Sequence, residues 1–258
     1  MKAIKVNLPN DIKTAELHLF ADLHIGDKLC DLESIKSRVE AVRNNKNAYC
    51  ILNGDIINNA TKTSISDCYA EELSPMEQIK RFVEIFEPIK DRIIAITSGN
   101  HENRTYTKEG VDITYLCAKQ LGLAERYSKT GAIIFLRIGQ GNKKIHNRPI
   151  CYIIYCTHGS GGGRKEGAKA IRLADMANII DADIYIHSHT HLPMIMKEAH
   201  YRTDALNSTF QIVNKLFVNT SAMLNYGGYG EEKEFKPNSK DCPTIYLNGT
   251  KKEFRATL

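Results

Sequence analysis

No tryptophan occurs among the 258 residues, an absence that excludes little. Other shortages exclude more. No apolar run approaches the roughly 20 residues that span a bilayer. The opening residues carry charges and Pro9 where a secretory leader needs an unbroken apolar stretch, and no small-residue cleavage site follows. The seven cysteines (Cys30, Cys50, Cys68, Cys117, Cys151, Cys156 and Cys242) are odd in number and contain no C-x-x-C pair. Neither a disulfide framework nor a thiolate zinc site is therefore favoured. Cys50, Cys151 and Cys156 lie in apolar runs, where a buried free thiol is the simpler reading and implies a reducing compartment. No block of five or six like charges is present; the formal net charge of +5 is spread along the chain. Such a balance permits a polyanionic ligand without requiring one. The expectation is a cytoplasmic protein without a membrane segment. Nothing in the sequence bears on its oligomeric state.

What is present is ordinary in bulk, with 42% apolar and 25% charged residues. The length permits one large domain or two. Short apolar segments alternate with amphipathic ones. Leu17 to Ala21 reads as a strand. Leu32, Ile35, Val39 and Val42 then recur at helical spacing behind Asp31, a good N-cap. Tyr49 to Asn53 is a second buried strand. Ser74, Pro75 and Glu77 form a capping box ahead of the stripe Met76, Ile79, Phe82, Val83 and Phe86. Ile93 to Thr97 is a strand, and Asp112 to Leu121 a helix ended by Gly122. Ala132 to Ile138 and Ile150 to Cys156 suit a hairpin. Ala168 to Ile180 reads as a helix and Ile184 to His187 as a strand. From Met196 onward strands dominate, with candidates at Gln211 to Val213, Leu216 to Asn219 and Thr244 to Leu247. No repeat or linker interrupts this order, so the pattern predicts a single mixed α/β domain over residues 1–258.

Chemistry-bearing residues stand just beyond the strands. Asp22-Leu23-His24 follows the first and Gly54-Asp55 the second. Gly99-Asn100-His101-Glu102, Thr157-His158-Gly159 and His187-Ser188-His189-Thr190-His191 follow later ones. In open α/β sheets, ligands bind at the carboxyl ends of strands, so five such ends can converge on one place. Carboxylate, imidazole and amide oxygen suit Mn, Fe, Zn or Ni, and the lack of thiolates disfavours structural zinc. Seven candidate ligands exceed the needs of one tetrahedral ion but fit two ions sharing a carboxylate. Paired ions about 3.5–4 Å apart can clamp a phosphoryl group and activate water.

In this order the motifs resemble the calcineurin-like metallophosphoesterases, whose pattern is D-x-H, G-D, G-N-H-D/E, a lone His, then G-H-x-H. The resemblance spans Asp22 to His191. One departure is visible, because Ser188 stands where the family has Gly; it supplies backbone shape and no ligand, so Ser should be tolerated. The resemblance implies a β-sandwich of two mixed sheets flanked by helices on both faces. It further implies two divalent metal ions, with Mn the first expectation. One would be bound by Asp22, His24 and His191, the other by Asn100, His158 and His189, with Asp55 bridging. His101 would protonate the leaving-group oxygen or stabilise its charge.

Each residue taken alone has a plainer explanation. Asp22 and Asp55 can cap the helices or turns beyond their strands, Asn100 can be a turn residue, and His158 can be a core or surface histidine. His189 and His191 can simply share a strand face. All of these would have to hold together to remove the site. Outside the set, His18, His146, His187 and His200 read as structural or surface residues. The Ser160 to Lys165 stretch reads either as an anion nest from which Arg164 reaches a phosphate, or as a flexible connection. Arg104 carries the same two readings. Tyr226 to Gly230 reads as a surface loop, or as one where aromatics face substrate. The expected function is hydrolysis of a phosphodiester, nucleic acid or nucleotide, by metal-activated hydroxide attacking in line. A phosphomonoesterase acting on a small metabolite or phosphoprotein is the alternative. A non-catalytic binding module is the competing class, although all seven ligand positions and His101 are filled.

Overall fold

A computed structural model describes residues 1–62, 64 and 67–258. In chain order its elements begin with β1 (Lys2–Asn7), β2 (Thr14–Phe20), α1 (Leu32–Asn44), β3 (Ala48–Asn53) and α2 (Pro75–Phe86). There follow β4 (Ile93–Thr97), α3 (Asn100–Glu109), α4 (Ile113–Gln120), β5 (Tyr127–Ser128), β6 (Gly131–Ile138) and β7 (Ile150–Thr157). The remainder comprises α5 (Glu166–Asp175), β8 (Ile184–His187), β9 (Met194–Asp204), β10 (Thr209–Asn219), α6 (Gly228–Glu232), β11 (Thr244–Asn248) and β12 (Phe254–Thr257).

The strands form two six-stranded mixed sheets, β1-β6-β7-β8-β10-β9 and β12-β11-β2-β3-β4-β5. Their residues alternate between two apolar layers, as the pleat requires. Leu17, Leu19, Tyr49 and Ile51 face the other sheet and meet Ile134, Tyr152, Ile154, Ile186 and Val218. Their neighbours Phe20, Cys50 and Leu52 point outward and pack under α1, α2 and α4 through Ile35, Val39, Phe82, Phe86 and Cys117. On the far side, Tyr155, Tyr185 and Phe217 lie beneath Leu173 of α5 and Met176. The expected α/β sandwich with helices on both faces is thus realised. Among the described residues no helix is long and apolar enough to cross a membrane.

The helix ends follow their cap chemistry. Asp31 accepts from the Ser34 N–H at 3.0 Å, and Asp112 from the Tyr115 N–H at 2.9 Å. Ser74 and Glu77 form the expected capping box. Several elements differ from expectation: the stretch Tyr226 to Gly230, expected as a loop, runs into the short helix α6, and β5 and β12 have no counterpart among the expected strands. α3 has no apolar stripe to announce it and buries only Glu102. The helix expected over Ala168 to Ile180 starts at Glu166, ends at Asp175 and passes into a 3₁₀ turn over Met176–Asn178. The two strands expected around Asn214 are one: Asn214 is exposed, and the buried Lys215 satisfies its ammonium on Asp181 Oδ1 at 2.7 Å and the Tyr185 hydroxyl at 3.0 Å. The edge strand β1 has no counterpart among the expected strands. Cys151, expected to be buried with Cys50 and Cys156, is only partly covered, and all seven thiols are free.

Candidate metal centre

β2, β3 and β4 run parallel in one sheet, and β7, β8 and β10 run parallel in the other. Their carboxyl ends therefore open along a common edge, where the histidines and carboxylates gather. The backbone there is unusual. Asp22, His24, Asp55, His189 and His191 all have positive φ, between 47° and 67°. Such residues cost of order 1–3 kcal/mol each and persist where surrounding structure enforces them, typically at functional sites. Gly54 is also left-handed, at φ 82°, and a Cβ there would lie 2.6 Å from His158 Nδ1. A Cβ on Gly99 would lie 2.1 Å from Asp55 Oδ1. The two glycines let the motif loops close on one another.

The predicted ligands fall into overlapping groups. Asp22, His24 and His191 offer ligand atoms within 4.8 Å of one another, as do Asp55, His158 and His189, and also His24, Asp55 and His101. His191 Nε2 donates to Asp22 Oδ1 at 3.1 Å, and His158 Nε2 lies 3.1 Å from Asp55 Oδ2. The same His158 nitrogen stands 3.2 Å from Asn100 Oδ1 and 3.9 Å from Asp22 Oδ1. Every sequence-derived ligand candidate is therefore in one cluster, with Asp55 common to two of the groups. The donor set is hard-to-borderline, oxygen and imidazole without sulfur, and suits a divalent cation. His24 gives the sharpest test of fit. Its Nδ1 donates to Asn58 Oδ1 at 3.2 Å, so its Nε2 carries the lone pair, and that atom is buried without a hydrogen-bond partner among the described residues. An acceptor so placed among carboxylates has the form of a metal ligand.

The electrostatics agree. Burial, then His101, lowers the His24 imidazole to about 3, which keeps it neutral. Burial opposes ionisation of Asp22 and Asp55, yet the nearby imidazoles hold both carboxyls below their usual range. His158 is the counterpart: burial disfavours its charge, but Asp55 and Asp22 raise it to about 10. Both its ring nitrogens act as donors, Nδ1 to the Asn53 carbonyl at 2.9 Å. An imidazolium thus sits between the carboxylates.

The family model for calcineurin-like phosphoesterases matches residues 17–193. The chain belongs to this family. It is accordingly a metal-dependent phosphoesterase, and the cluster above occupies the segment that the family match covers. Comparison with the curated proteins gave no match. Among solved structures, the chain is similar to a conserved protein of Streptococcus pneumoniae TIGR4 described as a predicted phosphoesterase, at 12% identity and a TM-score of 0.39, covering 95% of this chain and 88% of that one. It is also similar to a metallophosphoesterase of Sphaerobacter thermophilus, at 14% identity and a TM-score of 0.39, covering 90% and 83%. A third is Vps29 of Entamoeba histolytica complexed with zinc, at 11% identity and a TM-score of 0.41, covering 90% and 85%.

Several further residues of this phosphoesterase hold the cluster in place; Glu102 and Ser188 stand within the sequence motifs, whereas Asn59, Asn219 and Lys169 carry no signal in the sequence alone. Glu102, the last residue of G-N-H-E, is buried and accepts from the N–H groups of Asp55, Ile56, Ile57 and Gly99 at 2.6–3.2 Å. Burial and Asp55 raise its carboxyl to about 7, against the pull of those donors. Asn59 donates to the His101 carbonyl at 2.8 Å. Asn219 accepts from His187 Nδ1 at 2.9 Å and donates to Thr190 Oγ1 at 2.9 Å, bracing the final motif. Lys169 donates to the Thr190 carbonyl at 2.8 Å. Ser188, the departure from the family pattern, accepts from Asn53 Nδ2 at 2.7 Å.

His101 Nδ1 donates to the Asn58 carbonyl at 2.8 Å, and its Nε2 accepts from Arg104 Nη2 at 3.0 Å. The same Nε2 is 3.8 Å from Asp55 Oδ2. Arg104 therefore belongs to the cluster. Arg164 does not: it is exposed, its guanidinium 5.0 Å from the ring centroid of Phe235. The nest reading of its loop gains nothing, because the loop turns this cation toward an aromatic ring. Tyr226 donates to the Phe235 carbonyl at 3.0 Å, while the Tyr229 side chain lies outside the described residues.

Proposed function

We propose that this phosphoesterase hydrolyses phosphodiesters, in nucleic acid or nucleotides, with two divalent ions, manganese being the first expectation. Asp22, His24 and His191 would hold one ion, Asn100, His158 and His189 the other, and Asp55 would bridge. When bound, the ion pair would supply Lewis acidity and an activated water. The observation that carries the reading is the buried His24 Nε2, unpartnered among the described residues, amid two ionised carboxylates and a ring of imidazoles. The chain's own residues divide the remaining work. His101, its Nδ1–H fixed on the Asn58 carbonyl, turns Nε2 toward Asp55; because that nitrogen accepts from Arg104, it would first take up a proton from solvent and then deliver it to the leaving oxygen. Arg104, without a carboxylate in ion-pair contact among the described residues, would meet a phosphate oxygen. Glu102 positions Asp55 through its backbone N–H.

A nucleic-acid diester is favoured by the positive balance of the chain, which suits a polyanion, with Arg104, free of carboxylate ion pairs among the described residues, as a contact for its phosphate. Manganese-loaded protein assayed on bis-p-nitrophenyl phosphate and p-nitrophenyl phosphate tests this. Faster turnover of the diester is expected; a strong preference for the monoester would overturn the substrate class.

A further inference from the structure

A cleft of about 260 Å³ opens beside the cluster. One wall is a single stripe of α3, comprising Asn100, Asn103, Arg104, Thr107 and Lys108, and Thr61 and Ser64 lie opposite. The stripe starts at a proposed metal ligand and leads away from it. Arg104 and Lys108 follow Asn100 at intervals of four residues, about 6 and 12 Å along the helix axis. No apolar face explains why α3 lies here, since it buries only Glu102, and a helix polar all round gains little from packing. Its tethers are polar: Glu102 on the Asp55 loop, and Thr105 Oγ1, which accepts from Asn59 Nδ2 at 2.9 Å. Neither Arg104 nor Lys108 has an ion-pair partner among the described residues, and Lys108 is exposed. Arg104 also contacts His101, so the cleft begins on the side where a leaving group departs.

We infer that this cleft binds the nucleic-acid strand on the leaving-group side of the scissile bond, with Arg104 and Lys108 meeting successive backbone phosphates. The preferred substrate is then an oligonucleotide and not a mononucleotide diester. Two cations one helical turn apart match a repeating polyanion, whereas a small diester would occupy only the first. The polar Asn103 and Thr107 between them suit sugar and phosphate oxygens and offer no aromatic platform for a base, so binding should not discriminate sequence. This inference rests on the phosphodiesterase reading above.

The test compares manganese-loaded wild type, Lys108→Glu and Lys5→Glu, the last an equal charge change on exposed β1 of the other sheet. Rates are measured on a short single-stranded oligonucleotide, the corresponding dinucleotide and bis-p-nitrophenyl phosphate. Oligonucleotide affinity is read separately by fluorescence anisotropy. The expected kcat/KM for the oligonucleotide exceeds that for the dinucleotide. Lys108→Glu should lower the ratio of oligonucleotide to bis-p-nitrophenyl phosphate turnover roughly tenfold, the usual effect of removing one charged hydrogen bond. Its salt dependence should flatten by about 0.7 in log–log slope for each phosphate no longer neutralised. Lys5→Glu should behave as wild type. Equal rates on both nucleotide substrates, with Lys108→Glu matching Lys5→Glu, would overturn the cleft and leave the diesterase reading standing. Protein inert on every diester would overturn that reading, and anisotropy would still decide the cleft: weaker binding only in Lys108→Glu upholds it, and equal binding refutes it.

Discussion

Glu102 and Asp55 are joined through the backbone: the Asp55 N–H donates to Glu102 Oε2 at 3.2 Å while Asp55 Oδ1 accepts from the His101 N–H at 2.8 Å. Each carboxylate thus fixes the loop that carries the other. Glu102→Gln replaces an acceptor-only group with one bearing an NH₂, which cannot satisfy four converging N–H donors. Metal affinity should fall about 10–100-fold, as for other supports of ligands, and stability by roughly 1–3 kcal/mol. Metal titration and thermal unfolding of the metal-free protein measure the two effects. Wild-type values in both would remove Glu102 from this role.

His101→Asn should lower kcat by about 10²–10⁴, the usual contribution of a general acid, with bound metal retained. Elemental analysis beside steady-state kinetics separates the two properties. Unchanged turnover with metal present would strip His101 of its assignment.

His158 makes the metal-free fold sensitive to alkali. Its folded pKa of about 10 lies above the unfolded value near 6.5. Its contribution to stability is therefore complete below about 6.5 and is lost as pH rises through about 10. Melting temperatures of chelator-treated protein should decline across that window. Loading with manganese at neutral pH should expel a proton, since a ligating imidazole must be neutral. Calorimetry in buffers of different ionisation enthalpy counts it, and no proton release would contradict the assignment of His158 as a ligand.

Ser188→Gly restores the family residue but removes the acceptor of Asn53 Nδ2, which keeps its second partner, the Thr157 carbonyl, at 2.8 Å. A loss of about 1–2 kcal/mol is expected from the missing hydrogen bond and the freer backbone, seen as a fall of a few degrees in melting temperature. Metal content should not change.

The buried strands and amphipathic helices are legible in the sequence because apolar periodicity reports the face turned to a core. The cluster of candidate ligands is legible because the motifs stand at strand ends in a family order. The hidden parts lack any periodic signal. α3 is polar throughout, so hydropathy does not reveal its helix. Asn58, Asn59, Asn219 and Lys169 act through partners distant in sequence, and an isolated Asn or Lys announces no such partner. Arg164 misleads because a glycine-rich turn before a helix suggests an anion site, whereas its guanidinium stacks on Phe235, far along the chain and invisible to local reading.

The proposed ligands of each ion come from both halves of the sandwich: Asp22 and His24 lie beyond β2 of one sheet, and His191 beyond β8 of the other. A cation seated there would act as a rivet through the two layers. Chelation would then do more than silence the enzyme. It would leave like-charged carboxylates restrained mainly by one imidazolium, and the temperature of unfolding would track free cation concentration, by about 2.7 kcal/mol at a hundredfold excess over the dissociation constant.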